Sequence, residues 1–429
     1  MPCAGSAVFT HWTRRCFESV IHESLSPDCT NSLAAEQGGY RFLTDFLVCG
    51  AGVSGLLVAR ELLAAGATVH IVERGEAGRE ASWAGGGIVS PLYPWRYVDA
   101  VSALASAAQD SYPQLAQELI RETGIDPEFS QCGLTMLDTR DSADALGWAR
   151  RYHRQMMLWN PQQIYDHEPG LAEGYEQALW MPRVANIRNP RLLKALRHAV
   201  VMHPGATLTE HCEVLNFKRL NARLTEVVVR QDGRVAQLTA DNFVLTAGAW
   251  SGVLLESSGV NLPVAPVKGQ MLLYRAEKPL LNGIVLSQGR YLIPRRDNHI
   301  LVGSTLEHAG FDKQSTAQAL DSLRASAVAM LPALGDQPVV QQWAGLRPGA
   351  PEGIPFIGRL PGCKNLYVNA GHYRNGLVLA PASARLTADL MLGRQPAIDP
   401  APYDPEQRIA AIQASGFASD RLITDNTRA

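Results

Sequence analysis

The chain lacks a dominant charge. Its 429 residues hold 39 Lys and Arg against 41 Asp and Glu, a net −2, which argues against nucleic acid as the main partner, because that would favour a strongly basic face. It also lacks an apolar run of the roughly 18 residues needed to span a bilayer, although a peripheral membrane contact stays open. Arg14 and Arg15 are followed by no apolar stretch, so the start does not read as a secretory signal. The seven cysteines, at positions 3, 16, 29, 49, 132, 212 and 363, form no Cys-x-x-Cys pair or other metal-ligand spacing. Scattered thiols of odd number fit a reducing, cytoplasmic setting. No repeat, low-complexity tract, Ser-His-Asp order, His/Cys cluster or obvious carboxylate pair is present.

What is there is enough apolar sequence, 46% of residues, for one large or two modest cores. Residues 1–44 stand apart as a polar leader without helical or strand period, read as disordered or as an over-called start site; a regulatory or oligomer-forming arm is the alternative. Order begins at Asp45. Phe46-Leu47-Val48-Cys49 reads as a strand, an Ala/Leu-rich stretch to Ala65 as a helix stopped by Gly66, and Thr68 to Val72 as a second strand closed by Glu73. Together they form one βαβ unit of about 30 residues. Residues 93–183 read as helical and aromatic. Strands are expected around Leu224–Val229, with Asp232-Gly233 as a hairpin turn, and around 264–305. Helices are expected at 314–331 and 376–392, and the tail past 396 is expected on the surface.

Between strand and helix of the first unit lies Gly50-x-Gly52-x-x-Gly55, in the one context where that weak motif carries weight. Gly50 makes the tight turn, Gly52 lets backbone approach a pyrophosphate, and Gly55 permits close helix–strand packing. The phosphate lies on the helix N-terminus and Glu73 accepts from a ribose. Whether the dinucleotide is NAD or FAD is left open by the motif. Three consecutive glycines, Gly85-Gly86-Gly87, follow in Glu80–Val89; without side chains they let a flat ring approach the backbone.

Phe243–Trp250, a buried strand ending Thr-Ala-Gly-Ala-Trp with Gly248 expected at the cofactor, resembles the late strand of two-dinucleotide-binding-type flavoproteins. Trp343–Gly349, Pro355–Gly358 and Asn369–Pro381 resemble the signature of the D-amino-acid-oxidase superfamily, and within it the glycine oxidases of thiamine biosynthesis, over about residues 45–395. The resemblance implies an α/β chain. A Rossmann-like FAD domain would be assembled from 45–92, 184–257 and 343–395. An α+β substrate domain on a mostly antiparallel sheet would come from 93–183 and 258–342, with 396–429 as a tail. It implies that Val53 and Ser54 flank the pyrophosphate and that Glu73 with Arg74 face the ribose. Ala81, Ser82, Gly86, Gly87 and Ile88 would line the flavin, and Val214 would give a backbone contact near the adenine. His372, Tyr373, Arg374, Asn375, Gly376, Leu377 and Val378 would follow the pyrimidine side of the ring. Arg347 would clamp a substrate carboxylate, Tyr291 would share it, and Arg374 would lie beside the substrate.

The residue types suit those roles. A carboxylate in a water-poor pocket calls for a planar, bidentate cation, and Tyr291 offers a donor on a rigid body. No residue is assigned as acid or base, because a neutral amine can pass its α-hydrogen and electrons to the flavin without one. Relatives that bind flavin covalently use a cysteine near Leu346-Arg347; this chain has none there, so non-covalent FAD is expected. The implied activity is oxidation of glycine, with sarcosine and small D-amino acids as further substrates. Products are an oxo acid (glyoxylate from glycine), ammonia or amine, and hydrogen peroxide from dioxygen, in supply of the thiazole of thiamine. A D-amino-acid dehydrogenase using a quinone or other acceptor, and a non-catalytic flavin-binding subunit, are the alternatives. Oligomeric state stays open, homo-oligomers included.

Overall fold

The computed structural model describes residues 44–256 and 258–414. The leader apart from Thr44, with Cys3, Cys16 and Cys29, and the end of the tail lie outside the described residues.

Phe46–Cys49 is buried at every position and pairs in parallel with Val69–Val72 on one side and Asn242–Leu245 on the other. A strand covered on both faces needs such an unbroken apolar run. Ala206–Thr209 and Leu366–Ala370 extend this sheet in parallel, and Phe356–Arg359 closes it antiparallel, giving six strands. Helix Val53–Ala64 returns the chain between the first two strands and packs on helix Gly376–Met391, both rich in buried Ala and Leu. Helix Asp99–Thr123 joins that same core through Val101, Leu104, Ala108 and Leu119.

A second sheet has eight strands, all paired antiparallel except Leu134–Met136 with Ile284–Ser287. Its edge is the long strand Val339–Gly349, laid along Ala265–Arg275 from Gly349 opposite Ala265 to Val339 opposite Tyr274. The chain is therefore α/β with the Rossmann-like sheet and the mostly antiparallel second sheet that were expected. Cys212–Leu220, Arg223–Gln231 and Arg234–Leu238 form a separate three-stranded sheet. Asp232 and Gly233 turn its hairpin with φ of 49° and 74°, the type I′ conformation that an Asp-Gly pair favours.

The structure departs from the sequence reading in three places. Within 93–183, strands Leu134–Met136, Met157–Trp159 and Ala178–Met181 join the eight-stranded sheet; three or four residues are too few to show a strand period. Residues 343–349 belong to the larger sheet and helix Asp99–Thr123 packs on the smaller, so we propose that the domain division follows sheet and core membership at both points. The tail past 396 is not all surface. Tyr403 is 1% exposed and its hydroxyl donates to Ala100 O at 2.7 Å. Arg408 lies 4.2 Å over the Phe356 ring and donates to Ile354 O at 2.7 Å, which gives a Pro- and Asp-bearing segment two anchors.

Helix and sheet meet most tightly at Gly55. A Cβ there would lie 1.9 Å from Gly50 O and 2.7 Å from Thr246 Oγ1, the hydroxyl that donates to Gly50 O at 2.7 Å. Relief requires backbone movement, because the atom met is a carbonyl. Gly55→Ala should lower the stability of the FAD-free protein by about 3 kcal/mol in urea denaturation, the upper end for overpacking; parental stability would contradict this packing.

Candidate active site

The carboxyl ends of the parallel strands open into a cleft of about 370 Å³, within the range of small-ligand sites. Gly50 turns the chain with φ of 110°, and a Cβ on it would lie 2.7 Å from Thr246 O. The first helix then starts at Val53 with no side-chain cap from Gly52; Ser82 Oγ instead accepts from Val53 N at 3.0 Å. Helix start and glycine turn together present backbone N–H groups to an anion. Glu73 ends the second strand, where its carboxylate accepts from Ala51 N at 2.8 Å and Gly75 N at 3.0 Å. Held in this way it keeps lone pairs for a diol. Arg74 lies at the rim instead, 4.2 Å over the Trp250 ring and 3.5 Å from Glu80.

Further in, the Gly85–Gly87 turn runs beside the second sheet. Gly87 has φ of 83°, and a Cβ on it would meet Ile187 O at 2.0 Å. A Cβ on Gly86 would meet Tyr291 Cε2 and Ile293 Cδ1, each at 3.0 Å. The turn is thus wedged between the larger sheet and the Ile187 carbonyl, with side chains excluded on the packing side.

Arg347 comes from the edge strand of the larger sheet. Its Nη2 donates to Ser304 Oγ at 2.6 Å, and its Nη1 to Thr305 O at 3.2 Å and Lys268 O at 3.3 Å. Those acceptors are neutral. Part of the side chain faces the cleft, but the guanidinium lies deep, and burial lowers its pKa, with Tyr291 opposing and Arg374 adding to the shift. It remains a cation, since arginine starts far above neutrality. Tyr291 is 7% exposed, with its hydroxyl 3.4 Å from Met271 Sδ. Tyr291, Met271, Ser304, Arg347, Tyr373 and Arg374 all line this end of one cleft.

The sequence-derived set comes together almost whole. Gly50, Gly52, Val53, Ser54, Glu73, Arg74, Ala81, Ser82, Gly86, Gly87, Ile88, Val214, Gly248, His372, Tyr373, Gly376, Leu377 and Val378 line the cleft, as do Arg347, Arg374 and Tyr291. Two do not. Gly55 packs helix on strand, and Asn375 is buried with its N–H on His372 O at 3.0 Å. Sequence reasoning missed Ser304 and Met271, which carry no motif. His372 is 2% exposed, with Nε2 3.1 Å from Ser383 Oγ, and burial lowers its pKa to about 4. Two thiols line the cleft: burial raises Cys49 to about 12 and Cys212 to about 11, so both stay protonated at neutral pH.

A phosphate-binding helix start, a carboxylate for a ribose, a side-chain-free turn for a ring and a buried cation beyond it fit FAD in order along one cleft. These features define a dinucleotide-dependent enzyme. Residues 45–390 match the family described as FAD dependent oxidoreductase. The glycine oxidase of Pseudomonas aeruginosa is 55% identical over 363 residues, 85% of this chain and 99% of that protein. The bifunctional protein ThiO/ThiG of a Synechocystis species is 31% identical over 366 residues, 82% of this chain and 52% of that protein. The crystal structure of glycine oxidase from Geobacillus kaustophilus matches with a TM-score of 0.78 at 31% identity, over 84% of this chain and 98% of that one. The chain belongs to the FAD dependent oxidoreductase family. It is an FAD-dependent enzyme of the amino-acid-oxidase kind.

The buried imidazole gives a pH test. Its folded pKa, about 4, lies below the ordinary 6.5, so the unfolded chain binds the proton first as pH falls. The stability of neutral His372 is fully present above pH 6.5 and is lost as pH falls to about 4, up to about 3 kcal/mol. His372→Gln, which can still meet Ser383, should remove that part of the acid loss and leave the similar part due to His70, also lowered to about 4. An unchanged stability profile between pH 4 and 6.5 would contradict a buried neutral His372.

Proposed function

We propose that this enzyme oxidises glycine, and more slowly sarcosine and small D-amino acids, to an oxo acid, ammonia or amine, and hydrogen peroxide. One observation carries the reading: Arg347 is a deep guanidinium whose hydrogen-bond acceptors are all neutral, so its charge is left for a substrate carboxylate. Charge-assisted bidentate pairing is the strongest recognition such a group offers. Ser304 Oγ and the Thr305 and Lys268 carbonyls fix the plane of the fork, Tyr291 shares the carboxylate, and Arg374 lies beside the amine-bearing carbon. When bound, FAD supplies the chemistry by accepting two electrons from that carbon and passing them to dioxygen. The chain's own work is to bind, orient and exclude water. It holds no assigned general base: His372 is neutral, buried and engaged with Ser383.

Relatives named glycine oxidase and ThiO/ThiG support glycine as substrate and supply of the thiazole of thiamine as the role. A cytoplasmic site, dioxygen as acceptor and non-covalent FAD are part of the same proposal. Among the described residues no helix is long and apolar enough to cross a membrane. The purified protein should be yellow, release FAD on denaturation, and form peroxide with glycine faster than with sarcosine or D-alanine. Bleaching of the flavin by glycine without peroxide would overturn oxygen as acceptor, and no bleaching with any of the three would overturn the activity.

A further inference from the structure

Arg295 stands just past strand Arg290–Pro294 and points its guanidinium under the glycine turn. Nη2 donates to Gly86 O at 2.7 Å; Nη1 donates to Asn186 Oδ1 at 2.9 Å and to Ile187 O at 3.0 Å. Every acceptor is neutral. Among the described residues no carboxylate lies within ion-pair distance of it. The nearby acids are engaged elsewhere: Glu128 with Arg188 and Arg191, each at 3.2 Å, and Asp297 with Arg188 at 2.8 Å. The guanidinium is enclosed although part of the side chain stays accessible, and burial lowers its pKa to about 10, with Arg188 adding to the shift. It is still charged at neutral pH.

An enclosed charge without a counter-ion is costly, and the usual outcome is pairing. This one is held beside a turn whose Gly86 and Gly87 line the cofactor cleft. The cation thus reaches the cleft lining through its hydrogen bond to Gly86 O. Positive charge in a water-poor site stabilises negative charge nearby, and FAD becomes more negative when it takes up electrons. We propose that Arg295 is a positioning residue for the flavin: it fixes the turn through the Gly86 and Ile187 carbonyls, and its charge favours the reduced cofactor over the oxidised one. The inference rests on the reading that the Gly85–Gly87 turn faces the isoalloxazine.

The test compares holoenzymes of the parent, Arg295→Gln and Arg295→Lys by midpoint potential, from equilibration with redox dyes, and by FAD dissociation constant. Arg295→Gln, which keeps a donor but loses the charge, should lose at least about tenfold in preference for reduced FAD, a fall of about 30 mV for two electrons. Arg295→Lys should stay within about threefold, or about 15 mV. A parental potential in Arg295→Gln, whatever happens to FAD affinity, overturns the proposal, because a merely structural residue would move affinity alone. Should that variant not fold, Arg295→His carries the test: its potential must fall more steeply than the parent's as pH rises through imidazole titration, and a parental slope overturns it. Gly86→Ala separates the two readings. A shifted flavin spectrum in that variant with an unmoved potential in Arg295→Gln sinks the role of Arg295 alone; no shift sinks the placement of the turn as well.

Discussion

Arg347 brings a positive charge into the interior with a hydroxyl and two carbonyls around it and, among the described residues, no carboxylate of its own. Leaving a cation in this state is expensive unless a partner arrives. Much of the architecture makes it possible. The guanidinium is carried on a long edge strand, clamped through its length to Ala265–Arg275, so its root cannot shift. Ser304 and Thr305 reach it from just past strand His299–Gly303, which pairs with the opposite side of Ala265–Arg275. Tyr291 and Met271 close the space beside it. The larger sheet is a rigid frame for that one charge, which we propose is met by a small carboxylate.

The smaller sheet answers the other requirement, that of an anionic dinucleotide. Its parallel strands end together, so the glycine turn, Glu73 and Thr246–Trp250 arrive at one rim. The Gly85–Gly87 turn then passes between Tyr291 and Ile293 of the larger sheet and the Ile187 carbonyl. At that seam backbone replaces side chains: Ile187 O approaches Gly87 too closely for any Cβ, and Tyr291 approaches Gly86. Arg295 lies under the same seam. A side chain added there would have to displace Tyr291 or the Ile187 carbonyl.

How much of this could be seen in the sequence depended on the distance over which each feature is encoded. The βαβ unit, the Asp232-Gly233 hairpin and helix Gly376–Met391 are local, and their glycine spacing and apolar periods predict them closely. The cleft-lining residues in motifs were visible for the same reason: Arg347 and Arg374 sit in runs that resemble a known family. Ser304, Met271 and Arg295 were not visible, since each acts through a contact made by pairing of distant strands. The short strands at Leu134, Met157 and Ala178 and the anchoring of Tyr403 share that cause. Asn375, a motif member, is buried and is not among the residues that line the cleft.

The central claim is that Arg347 is a charge reserved for a substrate carboxylate. Acetate is glycine without its amine, so it can occupy the site but not react. Its binding can be followed as a change in the visible spectrum of the bound flavin, in the parent and in Arg347→Met. The dissociation constant should rise by about 100-fold or more in the variant, the scale for losing one partner of a buried charge pair, while FAD stays bound. Equal affinity for acetate in the two proteins, with flavin retained in both, would contradict it.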